Sequence, residues 1–361
     1  MSRKPQQKLR EGWTTGACAT AATRAAFSAL VTGEFPDPVT ITLPKGQTPA
    51  FALAVEKKGE GWAQAGIIKD AGDDPDVTHQ ALIISTVRTG AAGTGIVFKA
   101  GAGVGMVTKA GLPIPPGEPA INPVPRAMMT GVIEQIAQQH KINCDVEIEI
   151  SIVDGERLAV KTWNPRLGII GGLSILGTTG IVHPFSCSAW IHSIHSGIDV
   201  ARANGFEHVA GSTGSTSETV VKHLYDLPDF ALIDMGDFVG GMLKYLRKNP
   251  VPKVTIAGGF GKLTKLAQGY LDLHSGRSQV SFDWLADAVK HMGGDADLQN
   301  LTRQANTAME VLTLAQKHNL GLADYVAIKA QTAARNTLRD APIEIEIIVI
   351  NRQGEIVGRA Q

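Results

Sequence analysis

Hydrophobic and polar positions in the first part of the chain predict one long helix and several short strands. The alanine-rich run Thr14–Gly33 predicts the helix, with Thr14 or Thr15 as its N-cap and Gly33 at its end. Short alternating or apolar runs predict strands at Val39–Leu43, Phe51–Glu56, Trp62–Lys69, Ala81–Arg88 and Ile96–Ala100. Met1–Lys8 has no such pattern, and we expect it to be a loose tail.

Two later segments share an alternation that is typical of strands. Asp145–Val153 alternates apolar and polar residues, and a DGE turn connects it to Arg157–Thr162. Ile343–Ile350 has a similar composition, and an NRQG turn connects it to Glu355–Arg359. Both segments therefore predict β-hairpins. The similarity reflects either strand composition alone or a C-terminus that rejoins the sheet of the first domain.

From Trp163 onwards, predicted strands alternate with predicted helices. The first pair is a strand at Leu167–Leu176 and a helix at Pro184–Asn204. Further short strands, each followed by a glycine-containing loop and a helix, are predicted at Glu207–Ala210, Phe230–Asp234 and Lys253–Ala257. Repeated βα units predict a parallel sheet. Later helices are predicted at Phe282–His291, Leu301–His318 and Leu322–Leu338.

The combined pattern predicts an α/β protein of two domains, for which 361 residues suffice. Residues 1–163 form an α+β domain with an acidic KDAGDDPD loop and a Gly/Pro-rich loop, followed by a helix at Met128–His140. Residues 164–300 form a Rossmann-like domain with a parallel sheet. Residues 301–361 supply C-terminal helices and the hairpin that could rejoin the first domain.

Composition narrows the choice of partners. Lys and Arg together number 34, as do Asp and Glu, so the chain has no overall field for nucleic acid or a membrane surface. Cys18, Cys144 and Cys187 fit neither a disulfide framework nor a zinc motif, which favours the cytoplasm. No apolar run reaches the ~18 residues of a membrane helix. Whether the chain forms a homo-oligomer stays open.

Four glycine-containing loops are expected at the carboxyl edge of the parallel sheet, where such proteins bind ligands. They are GTTG at 177–180, GSTGS at 211–215, MGD at 235–237 and GGFGK at 258–262. The alternative is four tight turns without a ligand. The candidate cofactor-binding residues in and beside these loops are Gly177, Thr178, Thr179, Gly180, Gly211, Gly214, Asp234 and Gly236.

Other motifs allow competing chemistry. The dinucleotide fingerprint is not satisfied, because no acidic residue ends the predicted second strand, HVAG, and this disfavours NAD. His192 and His195 share a helix face but lack a defined third metal ligand, so we predict no metal site. The aspartates of residues 70–76 could hold Mg²⁺ or cap turns with Lys69 as partner. The glycines of GAGVG at 101–105 could bind phosphate, so a phosphoryl or nucleotidyl transferase that uses Mg-ATP is the alternative function.

Longer motifs cover most of the chain in a characteristic order. They are GWTTGACATAA at 12–22, IIKDAGDDPDVT at 67–78, GAGVGMVTKAGL at 101–112, GEPAINPVPR at 117–126, NPRLGIIGGLSILGTTGIVHP at 164–184 and GKLTKLAQG at 261–269. In these stretches the chain resembles the cobalt-precorrin-5B C1-methyltransferases of cobalamin biosynthesis, the CbiD family. The resemblance implies S-adenosylmethionine as methyl donor, bound in the second domain, and a ring-contracted tetrapyrrole as acceptor.

The implied substrate carries many carboxylates, so cationic side chains should bind it. Arg126, Arg166, Lys262 and Lys265, all near Gly or Pro turns, are the candidates. His274 and Asp237 are the candidates for adjusting the proton count of the macrocycle. The chain departs from the family's usual pattern at Asp237, where Asn is usual, and at Leu273, where Thr is common. A cobalt-free acceptor and a non-catalytic tetrapyrrole carrier stay open as alternatives.

Overall fold

The computed structural model describes residues 9–361 and divides into two compact units. Unit 1 extends to Ser186, and unit 2 comprises Cys187–Gln361. The tail predicted at Met1–Lys8 lies outside the described residues. The boundary falls after Ser186 rather than after residue 163, because the segment 164–186 packs against the first helix of unit 1.

Unit 1 combines a mixed five-stranded sheet with two long helices. Its helices are α1 Thr15–Thr32, α2 Pro123–His140 and α3 Gly155–Ala159. Its strands are β1 Gly12–Trp13, β2 Val39–Thr40, β3 Ala50–Phe51, β4 Val55–Gly59, β5 Trp62–Ile68, β6 Leu82–Thr89, β7 Ile96–Ala100, β8 Gly103–Val104, β9 Met106–Val107, β10 Val146–Ile152, β11 Ile169–Ile170, β12 Gly172–Leu173 and β13 Ile181–Val182. The main sheet has the order β4-β5-β6-β10-β7.

Helix α1 forms as its sequence predicts and covers one face of this sheet. The Thr14 hydroxyl caps it by accepting from the amide of Ala17 at 3.2 Å, and Gly33 ends it in the left-handed conformation. Its alanines bring the backbone close to β5 and β6, and the Thr23 and Ser85 hydroxyls lie 2.9 Å apart. The alanine-rich composition therefore reflects close packing of a buried helix.

The hairpin predicted at Asp145–Thr162 is wrong in its second half. Strand β10 forms, but it pairs with β6 on one side and with β7 on the other. Because both of its edges are occupied, the residues after the turn cannot pair with it. They form the short helix α3 instead.

The strand predicted at Leu167–Leu176 is also wrong. Its residues form only the two-residue strands β11 and β12, which pair with β9 and β8 of unit 1. The segment then runs to the start of α1, where the Gly16 amide donates to the Leu176 carbonyl at 2.9 Å and the Thr14 amide donates to the Gly180 carbonyl at 3.0 Å. This stretch therefore completes unit 1.

Unit 2 is built on a sheet that is parallel except at one edge. Its strands are β14 His208–Ser212, β15 Leu232–Asp234, β16 Lys253–Gly259, β17 Glu344–Ile350 and β18 Ile356–Ala360. Its helices are α4 Cys187–Ala203, α5 Ser215–Tyr225, α6 Val239–Leu246, α7 Phe260–Ala267, α8 Phe282–His291, α9 Ala296–Gln304, α10 Ala308–Lys317 and α11 Leu322–Leu338. The strand order is β15-β14-β16-β17-β18.

The C-terminal hairpin forms, but it does not rejoin the first domain. Strand β17 pairs in parallel with β16 over its whole length, and β18 pairs with β17 antiparallel. The nearly continuous apolar run of β17 explains this position, because an inner strand of a parallel sheet is covered on both faces. The predicted α/β class is confirmed, while residues 301–361 belong to unit 2.

One predicted helix, Leu301–His318, is interrupted in the structure. Helix α9 ends at Gln304. The Thr307 hydroxyl accepts from the amide of Glu310 at 3.1 Å and so caps the start of a separate helix, α10. The predicted bounds of α8 and α11 are confirmed residue for residue.

A buried carboxylate ties the C-terminal strands to the sheet. Glu346 is fully buried and accepts hydrogen bonds from Tyr225, Thr255, Arg359 and Gln361. Burial opposes ionisation, but these donors outweigh it and hold the pKa of Glu346 below its ordinary value. Burial and the nearby carboxylate raise the pKa of Tyr225 to about 12. The carboxylate is therefore ionised at neutral pH and fully partnered.

Candidate ligand site at the carboxyl edge of the parallel sheet

The chain reverses direction across the sheet next to β14. After β14 it goes to β15 on one side, and after β15 it crosses to β16 on the other side of β14. The connections that leave β14 and β16 therefore diverge, and a crevice opens beyond the carboxyl ends of these two strands. This is the switch point at which open parallel sheets bind ligands.

Ser212, the last residue of β14, is a buried hydroxyl without a partner at this crevice. Its side chain is 1% exposed, and its Oγ has no hydrogen-bond partner within residues 9–361. In the sheet it is paired with Asp234 on one side and Ala257 on the other. Leaving such a group unpaired costs on the order of 1–3 kcal/mol. A ligand that hydrogen-bonds to Ser212 would offset this cost.

The turn after β15 is fastened to the same residue through the backbone. The amides of Met235 and Gly236 donate to the carbonyl of Ser212 at 3.1 and 3.2 Å. Gly236 has a φ of +53°, and a Cβ there would lie 3.4 Å from the Trp190 ring. The turn is therefore held against the end of β14 in a conformation that favours glycine.

Lys262 links the two loops through its ammonium group. Its Nζ donates to the Thr213 carbonyl at 2.9 Å and lies 3.1 Å from Asp237 Oδ1. The ion pair lies outside hydrogen-bond geometry, so Oδ1 itself has no hydrogen-bonded partner in the described chain. Asp237 is also tied to the next segment, since its carbonyl accepts from the Leu273 amide at 2.9 Å. Lys262 is thus placed to position the loops.

Lys265 occupies a different environment from the one predicted. Its side chain is 8% exposed, and its Nζ donates to the Leu273 carbonyl at 2.8 Å. Burial lowers its pKa, which Asp237 opposes and Lys262 reinforces. A buried ammonium that is hydrogen-bonded to the backbone is poorly placed to bind an external carboxylate. Lys265 holds the segment that carries His274 against α7.

His274 lies on that segment and is exposed. Its backbone amide donates to the carboxylate of Asp272, and its Nδ1 accepts from the amide of Gly276 at 3.1 Å. We infer from this acceptor role that the neutral ring carries its proton on Nε2.

The loop GTTG at 177–180 does not lie on the parallel sheet, so the expectation of four loops on one edge is wrong. Gly177 has a φ of +123°, and a Cβ there would lie 2.4 Å from the Thr14 side chain. A Cβ on Gly180 would meet Leu43 at 2.5 Å. Thr179 bonds to the backbone of Ile181, and Thr178 is exposed. Close packing on α1 explains the glycines.

The cationic candidates are also divided between the units. Arg126 lies in unit 1, where it donates to the carbonyls of Ile121 and Pro119, pairs with Glu118 and packs over Phe98. Arg166, partly buried, lies in the same unit. The structure therefore does not bring these arginines into one unit with Lys262 and Lys265.

The acidic segment of unit 1 is occupied by internal partners. Asp76 pairs with the buried Lys69 at 2.7 Å, and Asp70 pairs with Arg10. Asp73 accepts from the Arg10 amide and Asp74 from the Phe185 amide. The reading of turn caps with Lys69 as a partner is confirmed.

His183 lies in unit 1, whereas His192 and His195 lie on α4 of unit 2. His183 pairs with Glu11 in unit 1 at 3.0 Å, and His195 stacks on Tyr245 with ring centroids 3.9 Å apart. Burial lowers the pKa of His195. Among residues 9–361, no group of three or more His, Cys, Asp or Glu side chains is placed to hold a metal ion. The same range holds no helix that is both long and apolar enough to cross a membrane.

The sequence prediction missed Ser212 and Trp190. The sequence predicts Leu167–Leu176 as the first strand of the sheet, whereas β14 is the first strand and β15 the second. With that correction an acidic residue, Asp234, does end the second strand, and a glycine loop follows the first. Trp190 could not be found from spacing, because it reaches the site from α4.

The strand order defines unit 2 as an α/β domain of the doubly wound class, with a polar crevice at its switch point. The CbiD family model matches residues 2–184, and the model "CbiD, C-terminal domain" matches residues 272–361. The chain belongs to the CbiD family.

Relatives from Brucella anthropi and Brucella suis, both named cobalt-precorrin-5B C(1)-methyltransferase, are 62% identical, with 99% of this chain and 98% of each relative covered. A crystal structure of a cobalamin biosynthesis protein (cbiD) from Archaeoglobus fulgidus aligns with 86% of this chain and 85% of its own. The identity is 22% and the TM-score 0.40.

Proposed function

We propose that the protein is an S-adenosylmethionine-dependent methyltransferase that methylates C1 of cobalt-precorrin-5B in cobalamin biosynthesis. The observation that carries the proposal is the 62% identity, over 99% of the chain, to relatives named for this reaction. The crevice of unit 2 supports the proposal, because ligands bind at this position in open parallel sheets.

The Mg-ATP alternative is not favoured. GAGVG at 101–105 surrounds the two-residue strand β8 of unit 1 and is followed by the short strand β9, so it does not connect a strand to a helix. A Cβ on Gly103 would lie 2.1 Å from the Ile152 carbonyl, so packing explains this glycine. The aspartates that would hold Mg²⁺ pair with protein groups.

The cofactor site consists of Ser212, Gly214, Asp234 and Gly236. Asp234 ends the strand beside the glycine loop, which is the position from which an acidic residue accepts ribose hydroxyls in nucleoside-binding sheets. Gly214 precedes α5, whose first amides suit the carboxylate of the donor's methionine part. The Ser212 hydroxyl supplies a further hydrogen bond to the methyl donor.

Five of the eight predicted cofactor-binding residues are not part of the proposed site. A Cβ on Gly211 would lie 2.5 Å from Met242 Sδ, so this glycine permits packing beneath the site. Residues 177–180 are left out of the proposed site, because they pack against the start of α1 in unit 1.

The protein's contribution to methyl transfer is alignment. Bound S-adenosylmethionine supplies an activated methyl group, and holding two reactants at attack distance contributes roughly 7–11 kcal/mol. Lys262 and Asp237 keep the loops after β14 and β15 in place for this task. We propose Asp237 and His274 as the groups that exchange protons with the macrocycle.

Calorimetric titration tests the proposal. We expect micromolar binding of S-adenosylhomocysteine, the demethylated product, and no binding of Mg-ATP. Methyl transfer to cobalt-precorrin-5B and to its cobalt-free counterpart then identifies the acceptor. Binding of Mg-ATP alone would reject the proposal, and tetrapyrrole binding without any binding of the methyl donor would indicate a carrier.

A further inference from the structure

Trp190 is a fixed and half-exposed aromatic ring at the edge of the candidate site. It lies in the first turn of α4, and 44% of its surface is exposed. Its indole Nε1 donates to the carbonyl of Asp234 at 3.0 Å. One side chain of unit 2 thus joins α4 to the end of β15.

The ring is supported by two neighbours. The turn at Gly236 lies close against it, and the Phe238 ring lies 6.3 Å away between centroids. The hydrogen bond and these contacts fix the plane of the indole before any ligand arrives. A large apolar surface that is both fixed and exposed beside a polar crevice is typical of a site for a flat ligand.

We infer that Trp190 stacks against the adenine ring of S-adenosylmethionine. The inference rests on the proposed cofactor. The Asp234 carboxylate would accept the ribose hydroxyls, and the base is attached to that ribose, so the base must lie within one ring's reach of Asp234. Trp190 is bonded to the backbone of that same residue. Ser212, whose buried hydroxyl has no hydrogen-bond partner from residue 9 onwards, occupies the neighbouring position on β14.

Stacking of a nucleobase requires a flat aromatic side chain and depends little on which base is bound. Alanine substitution of a stacking residue weakens binding roughly 5- to 150-fold. Trp190→Ala should therefore weaken S-adenosylhomocysteine and methylthioadenosine equally, since both contain the adenosine part. Trp190→Phe keeps a flat ring and should keep most of the affinity.

The test combines calorimetry with tryptophan fluorescence on the full chain. We expect both ligands to quench the emission of the unaltered protein, and the quench to disappear in Trp190→Phe while binding persists. Trp284→Phe is the matched control, because Trp284 is partly buried on α8 of the same unit. This control should keep the quench. Thermal unfolding of each variant identifies any loss of folding.

The outcomes separate the two proposals. If the unaltered protein binds S-adenosylhomocysteine but Trp190→Ala binds it equally well, the stacking role is wrong and the methyltransferase proposal stands. If Trp190→Ala weakens only the tetrapyrrole, the ring serves the acceptor and the inference is likewise overturned. If the unaltered protein binds neither adenosine ligand, both proposals fail.

Discussion

Ser212 and Asp234 lie opposite each other on adjacent parallel strands, each as the last residue of its strand. Ser212 carries a buried hydroxyl that has no hydrogen-bond partner in the described part of the chain, and the backbone carbonyl of Asp234 accepts from Trp190. The pair stands beside the switch point of the sheet. The position of this pair favours the carboxyl edge of the unit 2 sheet over the loops of unit 1 as the candidate cofactor site.

Ser212→Ala should have opposite effects on stability and on binding. Removing a buried hydroxyl that lacks a partner should raise the free energy of unfolding of the ligand-free protein, by on the order of 1 kcal/mol. Loss of its contact should weaken S-adenosylhomocysteine about tenfold. Urea unfolding and calorimetry measure the two effects. Ser217→Ala is the control, because the Ser217 hydroxyl donates to the Gly214 carbonyl. A destabilised Ser212→Ala protein would show that the hydroxyl is already partnered.

Lys262→Met should weaken cofactor binding without unfolding the protein. The substitution removes the link between the Thr213 carbonyl and Asp237, so the two loops lose their common anchor. We expect a loss of roughly tenfold in affinity for S-adenosylhomocysteine. Lys290→Met on α8, an exposed position, should leave affinity unchanged.

The partner of Lys262 can be tested in the same way. Asp237→Asn keeps an oxygen acceptor and places the residue usual in this family, so binding should change little. Asp237→Leu should lower the affinity for S-adenosylhomocysteine as much as Lys262→Met does. The double variant should bind no more weakly than either single variant. Additive losses would show that the two side chains act separately.

Gly177→Val should destabilise unit 1 and leave cofactor binding intact. The new side chain would collide with Thr14, and the left-handed backbone there strains any β-branched residue. The unfolding temperature should therefore be lower than that of the unaltered protein, while the folded variant keeps its affinity for S-adenosylhomocysteine. Loss of affinity in fully folded protein would return this loop to the cofactor site.

The ionisation of Glu346 should make the free energy of unfolding depend on pH in the acid range. Its pKa is lower in the folded than in the unfolded protein, so its stabilising contribution is present above the unfolded value near 4.5. That contribution is lost as the pH falls through the lower, folded value. Urea midpoints measured from pH 7 down to pH 3 should fall less steeply for Glu346→Gln than for the unaltered protein. Glu346→Leu, which removes the acceptor of the Thr255 and Tyr225 hydroxyls, should cost on the order of 1–3 kcal/mol at neutral pH.

Local chemistry in the sequence determined much of the structure. The threonine cap, alanine-rich interior and terminal glycine were sufficient to predict α1, and apolar periodicity predicted α8 and α11 with their bounds. Three of the four predicted glycine loops do lie at the ends of strands in unit 2. The family, too, follows from linear motifs, because they are read without knowledge of any contact.

Only the tertiary structure decided which loops share an edge. The stretch 167–180 reads as a strand and a ligand loop, yet Gly177 and Gly180 are packed closely against Thr14 and Leu43 of unit 1. Arg157–Thr162 does not pair because β10 has no free edge, and β17 enters unit 2 because β16 offers one. Strand pairing and packing join residues far apart in the chain, and local periodicity carries no information about the partner. The meeting of Trp190, Ser212 and Asp234 is of that kind.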